Sequence, residues 1–235
     1  EVQYDPWGRE ARTVLANGVV EQRERDATRG WVGNLQVAGA GQVFLEVALG
    51  RDPTGAVRDL HLTGTSYAVD EHYQRDDLRR LRHVDSSTSG QVDLEYDAIG
   101  NLVADSRRGL VDHTDPRHVH AATSFQTGQT FGYDDRGQLI TDDQRDLRWD
   151  AEGRLVEVTD RASGDQVGYA YGPGGERAMT RTAGQTLLHL GPLLEYDPAF
   201  GGVTYVAALG RVIARRDPSR VEFLHHDHLG SVRAV

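Results

Sequence analysis

A short motif that recurs along the chain limits its possible folds more than any other feature. Residues 131–160 read FGYDDRGQLITDDQRDLRWDAEGRLVEVTD and contain the motif twice, once around Tyr133 and once around Trp149. Each copy has an aromatic residue, an aspartate, two variable residues, a glycine and, two positions later, a leucine. The clearest aspartate–glycine pairs along the chain are Asp5 and Gly8, Asp52 and Gly55, Asp97 and Gly100, Asp134 and Gly137, Asp150 and Gly153, and Asp227 and Gly230. Because a catalytic site needs to be built only once, repetition at this scale indicates a repeat architecture.

Each copy has the residue types of a tight turn. Aspartate favours the first position of a type I turn, where its carboxylate accepts hydrogen bonds from backbone N–H groups further along. Glycine three residues later can adopt a positive φ, which gives the turn and bulge that close many hairpins. A residue with a Cβ pays about 1–2 kcal/mol in that left-handed conformation. Each copy therefore predicts a strand, a turn and a second strand.

The segments between these turns alternate apolar and polar residues. In VDLEYD, for example, Val92, Leu94 and Tyr96 alternate with acidic residues. A period of two indicates half-buried antiparallel strands, and helical spacing is not sustained anywhere. We therefore predict an all-β fold of repeated antiparallel hairpins. The rings that precede the turn aspartates are expected to point inward as core residues rather than to stack on carbohydrate: Tyr96, Tyr133, Trp149 and Tyr171.

The composition excludes several classes of function. Cysteine is absent, and all 26 basic residues are arginine, so cysteine nucleophiles, thiolate metal sites, Walker-type phosphate loops and Schiff-base lysines are excluded. A net charge of -10 argues against nucleic acid or an anionic membrane surface as a partner. We also expect no membrane insertion by this segment, because no apolar run approaches the length of a membrane span, and no leader peptide is visible.

Two histidine-rich segments raise the possibility of a metal site. In HHDH, residues 225–228, strand alternation would place His226 and His228 on one face and His225 and Asp227 on the other. The repeat also assigns Asp227 to a turn. VDHTDPRHVH, residues 111–120, contains His113, His118 and His120 and is expected to form a long loop. We prefer structural roles for both segments. Metal binding is the alternative for each, and an acid-base site is a further alternative for residues 111–120, although we expect no catalytic residue and no cofactor.

The ordered series of motifs resembles the YD repeats of the Rhs family, which includes bacterial Rhs polymorphic toxins, C components of insecticidal toxin complexes and, distantly, teneurins. EYDAIGNLVAD, FGYDDRGQLITDD, LRWDAEGRLVEVTD and GYAYGPGGERAMT follow in the family's order. An earlier unit has Arg51 where the family usually has tyrosine. FLHHDHLGSVRAV, residues 223–235, is similar to the segment that opens the Rhs-associated core.

The resemblance implies a spiralling ribbon of hairpins that forms part of a hollow shell, or β-cage, around a C-terminal effector. Residues 1–222 would be shell repeats and residues 223–235 the truncated start of the core. The expected partners are the C-terminal toxin cargo and the remainder of the shell, followed by secretion-spike proteins, a chaperone and an immunity protein. The protein is expected to be secreted, or injected from the bacterial cytoplasm, and to act outside the cell.

The context of delivery and two other functions stay open at this point. Type VI secretion, with a role in interbacterial competition, is the first expectation for delivery, and an insecticidal complex or a wall-associated toxin comes second. The chain could instead be an extracellular adhesion or carbohydrate-binding module, which would need exposed aromatic rings. An enzymatic role would depend on self-cleavage by a later segment of the core that this sequence lacks.

Overall fold

The computed structural model describes residues 1–235, and all of its regular secondary structure is β-strand. The predicted all-β fold is confirmed. The first twelve strands are β1 (Val2–Tyr4), β2 (Glu10–Val14), β3 (Val20–Arg25), β4 (Val32–Gly39), β5 (Gln42–Arg51), β6 (Val57–Gly64), β7 (Ala68–Arg75), β8 (Leu81–Ser86), β9 (Gly90–Tyr96), β10 (Leu102–Asp105), β11 (Gly109–Asp112) and β12 (Ser124–Phe125). The remaining strands are β13 (Phe131–Tyr133), β14 (Leu139–Asp142), β15 (Arg145–Trp149), β16 (Leu155–Asp160), β17 (Gln166–Tyr171), β18 (Arg177–Arg181), β19 (Thr186–His189), β20 (Leu194–Asp197), β21 (Gly201–Ala208), β22 (Arg211–Arg216), β23 (Val221–Phe223), β24 (His225–His226) and β25 (Val232–Ala234). No helix suited to crossing a membrane is present.

The chain divides into two compact units. Unit 1 comprises Glu1–Asp93 together with Phe223–Val235, and unit 2 comprises Leu94–Glu222. In unit 1, strands β1 to β9 pair in chain order, each antiparallel to the next. In unit 2, strands β9 to β12 and then β13 to β23 follow the same rule. These runs of strands are therefore meanders, and most neighbouring strands are joined by a short turn. A longer connection without strands, residues 113–123, separates β11 from β12.

The buried apolar core of unit 1 lies on one face of strands β4 to β6. Register places Val37 opposite Leu45 and Leu35 opposite Val47, and Val47 is also opposite Leu62. Leu45, Val37 and Val47 are the largest fully buried side chains of the molecule. Because side chains alternate across a strand, this face excludes water while the residues between these positions point to the other side.

Candidate functional site

Each of the six predicted aspartate–glycine pairs forms a tight turn, and all six turns are of the same type. In each, the glycine N–H donates to the aspartate carbonyl oxygen, and the aspartate N–H donates to the carbonyl of the residue four positions later. The glycines have φ between +74° and +95°, the left-handed region that the sequence pattern requires. Arg79 takes the glycine position of the turn after Asp76 with φ of +65°, so the turn also forms without glycine.

The turn aspartates cap the backbone with their side chains. Asp150 Oδ1 accepts the N–H groups of Glu152 and Arg154 at 3.0 and 2.8 Å, and Asp150 Oδ2 accepts Arg154 Nε at 2.7 Å. The same pair of backbone N–H groups reaches the carboxylate in all six turns. The Arg154 N–H, together with the Arg154 guanidinium, holds the pKa of Asp150 below its ordinary value despite partial desolvation. These aspartates are structural caps.

The residue before the turn aspartate usually sits at a β-bulge. The strand register shifts between Arg148 and Trp149 and between Ala170 and Tyr171, immediately before Asp150 and Gly172. In unit 1 it shifts between Glu24 and Arg25 and at the equivalent points of later turns. A bulge re-aims one side chain, and here it directs the side chain toward the preceding turn.

In several repeats that re-aimed side chain ties the turn to the turn before it. Trp149 Nε1 donates to the Leu139 carbonyl at 2.8 Å, and the Tyr171 hydroxyl donates to the Leu155 carbonyl at 2.7 Å. Leu139 and Leu155 each lie two residues after the glycine of the preceding turn. Both donors therefore reach the equivalent backbone oxygen, one repeat earlier.

In unit 1, arginine makes the same connection. Arg25 Nη2 donates to the Glu10 carbonyl at 3.3 Å, two residues after Gly8. Further along, Arg51 Nε donates to the Val32 carbonyl at 3.3 Å, and Arg75 Nη1 donates to the Val57 carbonyl at 2.6 Å. The arginine at position 51, where the family usually has tyrosine, thus supplies an equivalent donor. We call these contacts repeat ties. Sequence analysis missed them, although the arginine–aspartate pairs at 25, 51 and 75 were a usable signal.

The four rings expected to point inward are half-buried rather than buried. This holds for Tyr96, Tyr133, Trp149 and Tyr171. Tyr133 also donates its hydroxyl to a backbone carbonyl, that of Ala122, at 2.9 Å. Burial raises the pKa of Tyr133. The rings pack against the sheet while their polar atoms bind backbone, as expected for amphipathic aromatic side chains.

The histidines of the 111–120 segment do not converge. His113 Nε2 contacts the Leu102 carbonyl at 3.0 Å, and His118 Nε2 contacts the Asp134 carbonyl at 2.9 Å. His120 Nδ1 instead contacts the Asn101 side-chain oxygen at 2.7 Å. All three histidines lie in the strand-free connection between β11 and β12. His113 and His120 contact adjacent residues, whereas His118 contacts a distant turn. The chain contains no group of three or more histidine or acidic side chains arranged to hold a metal.

The HHDH segment departs from simple strand alternation. A bulge lies between His225 and His226, and both residues are buried. Asp227 caps its turn as the repeat predicts and accepts Arg233 Nε at 2.8 Å. Desolvation lowers the pKa of His228. His225 Nδ1 lies 3.0 Å from Glu21 Oε1, a contact that no local sequence pattern indicated.

Three histidine–aspartate pairs on the polar face of unit 1 also escaped sequence analysis. They join neighbouring strands: His72 with Asp59 at 2.7 Å, His61 with Asp70 at 2.5 Å and His83 with Asp93 at 2.7 Å. All three are cross-strand neighbours of the kind that stabilises sheets. The hydrogen bond from His72, followed by that from Arg58, holds the pKa of Asp59 below its ordinary value.

Comparisons with known proteins agree with this geometry. The profile of the RHS Repeat family matches residues 149–186, which run from the Trp149 tie through the Tyr171 tie. The resemblance to the Rhs/YD-repeat family that the sequence predicted is therefore confirmed. No curated protein matches the chain significantly.

The solved structures that match this chain include one of a Tc toxin, which has the same fold. A Photorhabdus luminescens Tc holotoxin pore with a mutation in TccC3 matches with a TM-score of 0.72 at 17% identity, covering 99% of this chain and 14% of that one. A crystal structure of TcdB2-TccC3 and another of TcdB2-TccC3-Cdc42 match at 15% identity, each covering 99% of this chain and 17% of the other, with TM-scores of 0.44. The present chain thus spans a small fraction of the length of the chains that it matches.

Proposed function

We propose that this chain is a non-catalytic wall segment of a β-shell that encloses a C-terminal effector of a secreted bacterial toxin until delivery. The observation that carries the proposal is the long series of hairpins, which runs from β1 to β12 and again from β13 to β23. Its fold matches a Tc holotoxin chain over 99% of the present chain. The remainder of the shell and the effector cargo are the proposed partners, and the site of action is outside the producing cell.

The repeat ties suit a wall that must hold its shape. Each tie links a turn to the preceding turn through a backbone carbonyl, so the register of neighbouring hairpins is specified twice, once by the strand ladder and once by the side chain. A meander in which each strand is paired with the next also leaves few free edges, and unpaired edges are where sheets aggregate. Such a wall can face an unfolded cargo without pairing with it.

The non-catalytic assignment is supported by the roles of the acidic residues. Asp142 caps a turn and pairs with Arg145 at 2.7 Å, so it is not free to act as an acid or base. Its neighbour Asp143 lies just beyond the end of β14 and takes no part in that cap. Delivery by type VI secretion and a role in interbacterial competition are part of the proposal.

Protease protection of the cargo tests the shell function. In the complete protein that carries this segment, limited proteolysis is expected to spare the region downstream of the repeats. Leu45→Asp places a charge in the core of unit 1 and should open the wall, so the downstream region is digested. Leu110→Asp, at a side chain that is 61% exposed, is the matched control and should leave the protection intact. A downstream region that is digested equally in the unaltered protein would contradict the proposal.

An adhesion or carbohydrate-binding module is the second candidate, because some rings are exposed. Trp7 is 64% exposed and Phe200 is 77% exposed, and the Arg9 guanidinium lies 4.9 Å from the centre of the Trp7 ring. Exposed rings are the groups that stack on sugars. Saturable binding on a glycan array that Trp7→Ala abolishes would favour this function over the shell.

A further inference from the structure

The C-terminal segment Phe223–Val235, which we call the strap, returns to unit 1 after the chain has built unit 2. Its first residue, Phe223, ends β23, and beyond it β24 and β25 pair with each other in a separate two-stranded sheet. Its β25 strand lies against β5, which carries part of the unit 1 core. The strap is thus a separate element held on unit 1 by contacts between distant parts of the sequence.

One end of the strap is anchored by a buried charged group. His225 Nδ1 contacts Glu21 Oε1 at 3.0 Å, and only 5% and 4% of the two side chains are exposed. Glu21 also binds Arg23 at 3.2 Å. Register places Glu21 of β3 opposite Val37 of β4, next to the apolar core. A carboxylate therefore occupies a position where an apolar side chain would fit the pattern.

A second polar contact joins the strap to unit 1 near its other end. The Tyr67 hydroxyl donates to the Arg233 carbonyl at 3.2 Å, and within the strap the Arg233 side chain binds the buried Asp227. By contrast, the large apolar side chains near its end are exposed: Leu229, Val232 and Val235. These three side chains therefore stay largely in solvent rather than entering the apolar core of unit 1.

A buried charged pair beneath the strap, with its large apolar side chains left in solvent, is typical of a contact that can be released. A buried carboxylate is stable only while its partners stay in place, and it is readily hydrated once they leave. An apolar pair at the same position would expose hydrophobic surface on opening, and such replacements are often neutral or stabilising. Placing Glu21 under His225 therefore lowers the cost of opening relative to an apolar contact.

We propose that the strap is a releasable clasp, pinned by Glu21 and His225, which opens while the strands of unit 1 stay folded. Opening uncovers the region of β3 and β5 and frees the chain that leads out of unit 2. This inference rests on the proposed shell function, in which the clasp would be the element that lets the wall loosen for release of the cargo. As a property of the fold, it can be measured without cargo.

Hydrogen–deuterium exchange on the whole chain tests the clasp. Backbone amides of the strap are expected to exchange at least about a hundredfold faster than those of β4 and β5, because local opening needs less free energy than global unfolding. If strap and core amides exchange at one common rate, through one common opening, the strap is a permanent part of unit 1 and the proposal is overturned.

Two variants with opposite expected effects keep the test specific. Glu21→Gln keeps the size of the side chain but removes its charge, and it should speed exchange in the strap by about tenfold, while exchange in unit 2 is unchanged. The pair Glu21→Leu with His225→Leu should slow strap exchange below that of the unaltered chain. Faster exchange in the double variant would contradict the account.

A matched control uses an exposed ion pair of the same unit. Arg58→Gln breaks the Arg58–Asp59 pair, whose side chains are 58% and 43% exposed, and should leave strap exchange unchanged. Because no cargo is present, a clasp that opens as expected would stand even if the protease-protection test of the shell failed. A clasp that does not open would leave the shell function untouched.

Discussion

Unit 1 buries a cluster of seven apolar side chains between Val19 and Leu62, whereas the buried apolar residues of unit 2 are Val111 and Ala214. Strands of unit 1 reach ten residues in β5, but β12 of unit 2 has only two. Both units nevertheless use the same capped turn. The comparison shows that one repeat can be stabilised mainly by an apolar face or mainly by polar ties to the backbone.

The two units also choose different donors for the repeat tie. Unit 1 uses the arginines at 25, 51 and 75, while unit 2 uses Trp149 and Tyr171. Arginine projects a charged donor and adds little apolar area, which suits a unit with its own core. Aromatic donors bring apolar surface with them, so in unit 2 the tie also supplies packing. The difference accounts for the half-buried rings of unit 2.

The largest effect should come from the core of unit 1. Leu45→Ala is expected to cost about 3–5 kcal/mol, because it removes fully buried methyl groups and leaves a cavity. Ile140→Ala in unit 2, at a side chain that is 39% exposed, should cost less than about 1 kcal/mol. Urea denaturation measures the free energy of unfolding of both variants. Equal losses would contradict the conclusion that unit 1 has the larger apolar core.

Removing a repeat tie should have a smaller effect. Tyr171→Phe deletes the hydroxyl that binds the Leu155 carbonyl and is expected to cost about 1 kcal/mol. Tyr169→Phe, in the same strand, is the control, since the Tyr169 hydroxyl has no hydrogen-bond partner and its ring lies near Arg177. In unit 1, Arg51→Met should lower the free energy of unfolding by a similar amount. A Tyr171→Phe variant as stable as its control would show that the tie does not contribute.

Replacing a turn glycine by alanine should destabilise the two units equally. Gly8→Ala in unit 1 and Gly175→Ala in unit 2 place a Cβ at φ of +74° and +84° with open space around it, so each should cost about 1 kcal/mol through backbone strain alone. Gly33→Ala and Gly184→Ala, which also have open space but no positive φ, are the respective controls. Thermal denaturation compares the four variants. A large difference between the units would mean that the turns are not equivalent.

Acid should destabilise both units through their turn aspartates. Each aspartate should change the free energy of unfolding by less than the substitutions described above. Backbone and side-chain hydrogen bonds from Arg154 hold the pKa of Asp150 below its ordinary value, and Asp52 is shifted the same way, chiefly by Thr54. A carboxylate with a lowered pKa in the folded state adds stability above its unfolded pKa of about 3.9. That contribution is lost as the pH falls through the folded pKa. Asp150→Asn should therefore flatten the loss of stability below about pH 4.

The sequence predicted the turns and the all-β fold because both depend on local rules. Asp150 and Gly153 need only their neighbours to form the capped turn, and strand alternation is visible in any segment. The repeat ties were only partly accessible, since Arg51 looked like a departure from the pattern until the structure placed it beside the Val32 carbonyl.

The remaining features depend on contacts that no local pattern encodes. Glu21 and His225 are 204 residues apart in sequence, and their pairing follows from the return of the chain to unit 1. Burial was also overestimated for the aromatic rings. Trp149 directs its indole N–H to backbone, so the ring stays near the surface of the sheet instead of entering a core.

The most direct test of the unequal cores uses tryptophan fluorescence. Of the three tryptophans, Trp149 lies in unit 2, while Trp7 and Trp31 lie in unit 1. A chain with Trp7→Phe and Trp31→Phe reports on unit 2, and one with Trp149→Phe and Trp7→Phe reports on unit 1 through Trp31. During urea unfolding, the Trp149 signal should change at a lower urea concentration than the Trp31 signal. Coincident transitions, or earlier loss of the Trp31 signal, would contradict the claim that unit 1 is stabilised by its apolar face and unit 2 by polar ties.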